Sequence, residues 1–289
     1  MAAAFESIGL VVRSDMQAHQ ERIQQVVTVL GRYASVLVHC LDFEEPMAEL
    51  SQVSLNKLVR EVDLVISLGG DGTLLTAARA MAGLNTPLLG INLGRLGFLA
   101  DVSFNQFESY VDAVVEGRYS VEERFLIQGE FFLGDDLKSR NIALNDIILH
   151  SFESASMIEY EISSGGQLIH IQRADGVIVT TPTGSTAYAL SGGGPIMHPS
   201  LNTMAIVPIC PHTLSNRPIV LPADQPIEVR LGQDSNIAKV SYDGHSTTRF
   251  AHDNRVRITR YPQPLTLLHP EDYDYFRVLR AKLDWSTHY

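Results

Sequence analysis

Apolar positions along the first hundred residues follow two alternating rhythms. Short unbroken runs at Ile8–Val12, Val36–Val38, Val62–Leu68 and Pro87–Ile91 have strand length and no polar alternation, as expected of strands covered on both faces. Between them lie stretches with helical spacing. Gln17–Leu30 carries Ile23, Val26, Val27 and Leu30 before Gly31, and Leu50–Glu61 and Leu74–Ala82 follow. Strand and helix taking turns predict a parallel sheet with helices on its faces. The rhythm changes near Gly117. From Tyr119 to about Leu268, short runs rich in Val, Ile, Thr and aromatics are cut by Gly, Pro, Asn and Asp. Examples are Phe125–Leu133, Ile147–Leu149, Ile158–Ser163, Leu168–Ile171, Val177–Thr181, Ile227–Leu231, Val240–Tyr242 and Val256–Thr259. That spacing predicts an antiparallel β domain, sandwich or layered sheet, with one helix inside it over about Ser185–Ser191. Tyr273–Leu283 reads as a terminal helix. The expected class is therefore α/β plus all-β: an α/β domain over 1–117, a β domain over 118–270 and a tail over 271–289.

Composition narrows the partners. A chain of 289 residues suits two domains and can bury about three quarters of its surface, so its core needs no staple. Cys40 and Cys210 are the only cysteines and form no CxxC, which excludes a disulfide scaffold and a cysteine zinc site. The net charge of −11 argues against a broad nucleic-acid face. No apolar run reaches the roughly 18 residues of a membrane helix, and Met1–Ser7 lacks the basic start of a signal peptide. The expectation is a cytoplasmic protein with neither nucleic acid nor membrane as partner. Lys57, Lys138, Lys239 and Lys282 are the only lysines; none follows a glycine, so no Walker-A loop exists.

The strongest chemical signal is Gly69-Gly70-Asp71-Gly72-Thr73, where a strand runs into a helix. Glycines bring backbone close to a ligand, and the helix start offers N–H groups and the positive dipole end, which together suit phosphate. Thr73 is a candidate N-cap or phosphate donor. Asp71 would repel phosphate in a pure anion cradle; it makes sense as a ligand of Mg²⁺ or as the acceptor of a proton from an attacking hydroxyl. The bland alternative is a tight turn with an aspartate cap. A Rossmann fingerprint fits poorly, because Leu75 stands where the third glycine belongs.

A second signal is the segment Asp175–Pro195, DGVIVTTPTGSTAYALSGGGP. It offers a Pro-Thr-Gly turn, a hydroxyl-rich helix start, an aromatic ring able to stack on a base, and three glycines that favour close ligand approach. Asn145-Asp146 offers an amide for an adenine edge and a carboxylate for ribose hydroxyls, but is equally a turn dipeptide. Asp243-Gly244-His245 reads as a hairpin turn. Arg173 and Asp175 could form a simple charge pair.

Taken together, GGDGT near residue 70, NDIIL at 145–149 and the 175–195 segment resemble the NAD kinase family in its bacterial form, over nearly the whole chain. GGDGT alone is shared with lipid kinases; the TPTGSTAY stretch makes the match specific. The resemblance implies transfer of the γ-phosphoryl of ATP to the 2′-hydroxyl of the adenosine ribose of NAD, with a divalent metal, most simply Mg²⁺, on the phosphates. It implies Asp71 as proton acceptor, with Gly72 also against the dinucleotide. Asn145 and Asp146 would hold adenine and ribose groups. Ser156, Arg173, Asp175, Thr186, Ala187, Tyr188, Ala189, Leu190, Ser191 and His245 would supply further NAD contacts. It implies a site between the domains, a tail returning to the first domain, and a homodimer or homotetramer. A bulky basic residue at Arg173 goes, in that family, with preference for oxidised NAD. Two rivals remain at this level: a lipid kinase of the diacylglycerol class, and a dinucleotide sensor without catalysis.

Overall fold

The computed structural model describes residues 5–13, 20–41, 51–94, 96–152, 156–213, 216–233, 237–252 and 254–285. The first unit contains β1 (Ser7–Arg13), α1 (Gln20–Leu30), β2 (Ser35–Leu41), α2 (Leu55–Glu61), β3 (Leu64–Gly69), α3 (Asp71–Ala80), β4 (Leu88–Asn92), β5 (Val102–Ser103), α4 (Phe107–Val115) and β6 (Ser120–Arg124). β1 pairs in parallel with both β2 and β3, and β3 with β4. Ile8, Leu10 and Val12 of β1 pack with Ile23 and Val26 of α1 and with Phe107 and Val111 of α4. On the other face a Cβ at Gly9 would collide with Leu58 of α2. Covered on both sides, these strands have no polar alternation.

The second unit holds β7 (Ile127–Leu133), β8 (Asp136–Ala143), β9 (Asp146–Ser151), β10 (Ile158–Ser164), β11 (Gln167–Ala174), β12 (Gly176–Thr180), α5 (Tyr188–Ser191) and β13 (Thr203–Ile209). It continues with β14 (Ile219–Pro222), β15 (Ile227–Leu231), β16 (Ala238–Tyr242), β17 (His245–Phe250) and β18 (Asn254–Arg260). These form two six-stranded sheets, β11-β10-β15-β18-β7-β8 and β14-β13-β12-β9-β16-β17, and every pair given by register is antiparallel. Side chains from both sheets share one core: Ile147, Leu149, Val177 and Val179 from one, Tyr160, Ile162, Val229 and Val256 from the other. The alternate residues Ile148 and Ile178 point the opposite way and pack with Ala189, Met197 and Val207. β9 and β12 are thus buried on both faces.

The chain then returns. β19 (Leu265–His269) pairs in parallel with β4, Leu267 opposite Leu88, and α6 (Tyr275–Leu283) follows. The first sheet runs β2-β1-β3-β4-β19-β6, with β5 beside β4. Residues 1–123 and 265–289 form one compact unit and 124–264 the other. The change of character at Gly117 therefore precedes the boundary, and Leu265–His269, read from sequence as part of the β domain, belongs to the first sheet. Its last residue, His269, is 1% exposed, lies 2.9 Å from Asp101 and 3.2 Å from Glu122, and stacks on Tyr273. Desolvation works against charge on that ring, but the two acids outweigh it and its pKa is raised.

Several local expectations shift. The helix expected over Gln17–Leu30 is seen from Gln20, and residues 17–19 lie outside the described residues. Of the helix expected over Leu50–Glu61, residue 50 lies outside them too, and 51–54 are extended, with Gln52 bridging Val38 of β2. The helix expected over Ser185–Ser191 breaks into a 3-10 turn, Thr183–Thr186, and α5, divided by Ala187 at φ −98 and ψ −133. Ser185 Oγ donates to Pro182 O at 2.6 Å and accepts from Met197 N at 3.0 Å, bonds that compete with helix formation.

Candidate functional site

β2 lies on one side of β1 and β3 on the other, so the order of the first sheet reverses there. Loops at the carboxyl ends of strands beside such a reversal are where open α/β sheets bind ligands. The glycine-rich loop is one of these. α3 begins at Asp71, with Gly70 as N-cap at φ −105 and no side-chain cap. This corrects the expectation of a helix starting at Leu74 with Thr73 as cap. Thr73 is the third helical residue, 1% exposed, and its Oγ1 lacks a partner among the described residues. A Cβ at Gly69 would collide with that hydroxyl, so Gly69 makes room for Thr73, and Thr73 does not face outward as a phosphate donor.

Gly70 and Gly72 differ from Gly69. A Cβ at either would meet nothing within 4 Å, and neither has positive φ. The protein's own packing does not call for glycine at these positions, and the absence of a Cβ leaves the backbone open to close approach. Thr73 N and Leu74 N turn back to Gly70 O, at 3.0 and 3.3 Å. The N–H groups of Asp71 and Gly72 remain the donors of the helix start.

Asp71 does not cap its helix. Its Oδ2 accepts from Phe98 N at 3.0 Å, and its Oδ1 from Leu99 N and Ala100 N, each at 3.1 Å. The donating loop approaches so closely that a Cβ at Gly97 would collide with Oδ1. Asn92 Nδ2 holds the same loop by donating to Ala100 O at 3.2 Å and Val102 O at 3.1 Å. A carboxylate has about four acceptor positions. Three are filled, and the one left, on Oδ2, can take one further hydroxyl or a cation.

In the second unit, Asn145 precedes β9 and Asp146 opens it, with their backbone tied on both sides. Asn145 O accepts from Thr181 N at 2.9 Å and Thr180 Oγ1 at 3.1 Å, and Leu144 O accepts from Thr181 Oγ1 at 2.6 Å. The N–H groups of Leu144, Asn145 and Asp146 all donate to the Asp243 carboxylate, at 3.0, 2.8 and 3.2 Å. Asn145 Oδ1 is a buried acceptor without a partner among the described residues. Asp146 is 3% exposed; burial first, and the Asp243 charge second, push its carboxyl up to about 7. His245 Nδ1 lies 2.8 Å from Asp243 O.

A cavity of about 420 Å³ in the same unit brings together Ser156, Asp175 and Tyr188, with Ser151 and Lys239 also on its wall. Ser156 Oγ bonds Ser151 Oγ at 2.6 Å. Tyr188 opens α5 and is 48% exposed, so its ring can stack on a planar partner. His150, also lining this cavity, has its pKa lowered by burial and by Lys239. Lys239 carries positive charge at a wall that otherwise holds Asp175.

Other expected residues are placed differently. Arg173 sits exposed on β11 and is not on the cavity wall; Asp175 is not ion-paired with it. Ala189 is 1% exposed in the core with Ile178 and Val207. Thr186 Oγ1 bonds Thr183 O at 3.2 Å and Ala187 N bonds Gly184 O at 2.9 Å, while Leu190 is half-buried and Ser191 exposed. The three glycines are explained by the fold rather than by ligand approach. Gly192 and Gly194 lie against Val207, where a Cβ would come within 2.8 and 2.9 Å, and Gly193 has φ +78. Sequence reasoning missed the Phe98–Ala100 loop and the role of Asp243; the paired glycines of Gly94–Gly97 were the available hint for the first.

Comparison with known proteins also divides the chain in two. Residues 8–119 match the model of the ATP-NAD kinase N-terminal domain and 144–269 that of the ATP-NAD kinase C-terminal domain. An NAD kinase of Thiobacillus denitrificans is 42% identical over 288 residues, 99% of each chain. One of Pseudomonas entomophila is 44% identical over 291 residues, covering 98% of this chain and 97% of the relative. Among solved structures, yeast NADH kinase complexed with NADH superposes with a TM-score of 0.88 at 25% identity, over 98% of this chain and 89% of that one. An NAD kinase from Archaeoglobus fulgidus in complex with ATP gives 0.76 at 28% identity, over 96% and 98%.

Proposed function

Because the chain belongs to the ATP-NAD kinase family, and so phosphorylates NAD at the expense of ATP, we propose how its residues divide that work. The γ-phosphoryl of ATP passes to the 2′-hydroxyl of the adenosine ribose of NAD. Asp71 accepts the hydrogen bond of that hydroxyl at the open position of Oδ2 and takes its proton as the P–O bond forms. The single observation behind this role is the carboxylate fixed by three backbone N–H groups with one acceptor position left. The backbone at Gly70 and Gly72, open to close approach, lies against phosphate, with the first-turn N–H groups as donors. Asn145 Oδ1 accepts from the adenine amine, Asp146 meets the ribose, and Tyr188 stacks on a base beside Ser156 and Asp175. Thr186, Ala187, Leu190, Ser191 and His245 complete the dinucleotide contacts.

The family and its ATP imply a divalent metal, and we take it to be Mg²⁺. Among the described residues no three His, Cys, Asp or Glu side chains gather as a metal cage. The donor set that fits is the nucleotide's own phosphates, because the one open acceptor position of Asp71 goes to the ribose hydroxyl. Bound there, the ion would supply positive charge to the phosphates of the nucleotide.

We further take the enzyme to work in the cytoplasm as a homodimer or homotetramer, apart from nucleic acid and membranes. The net charge of −11 argues against a broad nucleic-acid face, and no described helix is long and apolar enough to cross a membrane. Arg173 is assigned to preference for NAD⁺ over NADH, checked by comparing kcat/KM for the two; equal values remove the assignment. The whole reading is tested by a coupled assay for NADP formation from NAD and Mg-ATP. Tight NAD binding without turnover would sink it.

A further inference from the structure

We propose that Asp243 is a positioning residue for the substrate: its carboxylate fixes the Leu144–Asp146 turn and with it the directions in which the Asn145 and Asp146 side chains leave the chain. This rests on the reading that those two side chains hold NAD. In an extended strand successive N–H groups point to opposite sides, so three in a row converge only where the backbone curls into a small concavity. Here Leu144, Asn145 and Asp146 all donate to Asp243 within 3.2 Å. Asp243 N in turn donates to Asp146 O at 3.0 Å, and the carbonyls of Leu144 and Asn145 are held by Thr180 and Thr181. With its N–H and C=O both tied, Asn145 has little backbone freedom left. Its Oδ1 is buried and has no partner among the described residues.

The turn alone does not need an acid. Asp243 and Gly244 are the two central residues of the β16–β17 hairpin, at φ 49 and 72, with Tyr242 opposite His245. Asn or Gly satisfies such a turn as well as Asp. An acid here has an electrostatic cost, since its charge helps push the neighbouring Asp146 carboxyl up to about 7. A residue that a neutral one could replace in the turn, at lower cost to its neighbour, is explained by the three N–H groups it gathers.

The test uses the full-length enzyme and two variants that keep the left-handed turn. Asp243→Asn retains size, but its Nδ2 faces an N–H instead of accepting from it; Asp243→Gly removes the carboxylate. Three quantities are measured: amide hydrogen exchange at residues 144–146 in the free protein, NAD and ATP KM with kcat, and the melting temperature. The expected result is exchange at least tenfold faster at 144–146 and NAD KM raised at least tenfold, with ATP KM within twofold of the parent. Unchanged exchange at 144–146 overturns the clamp. Faster exchange with an unchanged NAD KM, or a lower melting temperature as the only effect, reduces Asp243 to a structural fastener and overturns the positioning role. If the parent makes no NADP the functional reading fails, and the exchange rates still decide the clamp.

Discussion

Asp71 in the first unit and Asp243 in the second each gather three consecutive backbone N–H groups on one carboxylate, but the two clamps run in opposite directions. At Asp71 the proposed chemistry belongs to the acceptor: the loop Phe98–Ala100 holds a carboxylate with one acceptor position left for a substrate hydroxyl. At Asp243 the proposed chemistry belongs to the donors, and the carboxylate positions them. Their exposure follows. Asp71 is half-buried, with an acceptor position open, while Asp243 is 7% exposed. The same local geometry therefore does not reveal a residue's role; what remains unsatisfied around it does.

The sharpest way to break the comparison is Asp71→Asn. Positioned acid–base groups contribute about 10²–10⁴-fold, so NADP formation should fall by at least that lower bound, while NAD binding by calorimetry stays near the parent's. A rate within tenfold of the parent would remove Asp71 from the chemistry and leave its carboxylate to hold the Phe98–Ala100 loop.

Asp146→Asn sharpens the electrostatic side. The folded protein keeps the Asp146 proton up to about pH 7, whereas the unfolded chain releases it near pH 4. Folded-state pKa above unfolded-state pKa in an acid means that stability declines as pH rises from about 4 to 7 and levels off above. The asparagine variant should be more stable at pH 8 by about 2–4 kcal/mol, with a flatter profile between pH 5 and 8 in urea titrations. An unchanged profile would mean that the buried acid carries no such strain.

Tyr188→Ala asks whether the second unit grips the dinucleotide through a ring as well as through Asn145. Stacking worth about 1–3 kcal/mol predicts NAD affinity five- to 150-fold weaker, with Tyr188→Phe nearly silent; calorimetry reads both. The smallest effect compares two glycines of the Asp71 clamp. Gly97→Ala forces a Cβ into Asp71 Oδ1 and should cost about 1–3 kcal/mol in thermal unfolding. Gly72→Ala has room and should leave stability within about 0.5 kcal/mol while lowering activity. Equal loss of stability in both would contradict the division between glycines serving the fold and glycines serving a ligand.

The sequence was most readable where one segment carries its own evidence. The unbroken runs of β1, β3 and β4 state their two-sided burial, and the glycine loop after β3 stood out without any partner in view. What stayed hidden depends on distant pairing. Asp243 bonds residues 97 to 99 positions away, and its Asp-Gly dipeptide announces only a hairpin. β19 follows twelve antiparallel strands and looks like one more, because an apolar run does not say which sheet will receive it. α4 carries Phe107, Tyr110, Val111 and Val114 at helical spacing, a signal passed over beside the change at Gly117. Thr73 looked like a cap because local preference favours it; the close packing against Gly69 turned it inward.

The return of β19 into the first sheet also sets an order of assembly. During synthesis the strands β1 to β4 emerge early, yet the parallel neighbour of Leu88 and Leu89 is made only after the entire second unit. Residues 124–264 can pack their own core while the earlier unit waits with one edge of β4 incompletely covered. Closing so long a loop adds entropy cost slowly but delays the contact. An uncovered strand edge is a template for other chains during that wait. The stretch Leu265–Leu283, whose helix reads from sequence as a mere tail, thus acts as the closing stitch of the nascent enzyme, and a ribosome stalled before it would leave a finished β unit tethered to an unfinished α/β one.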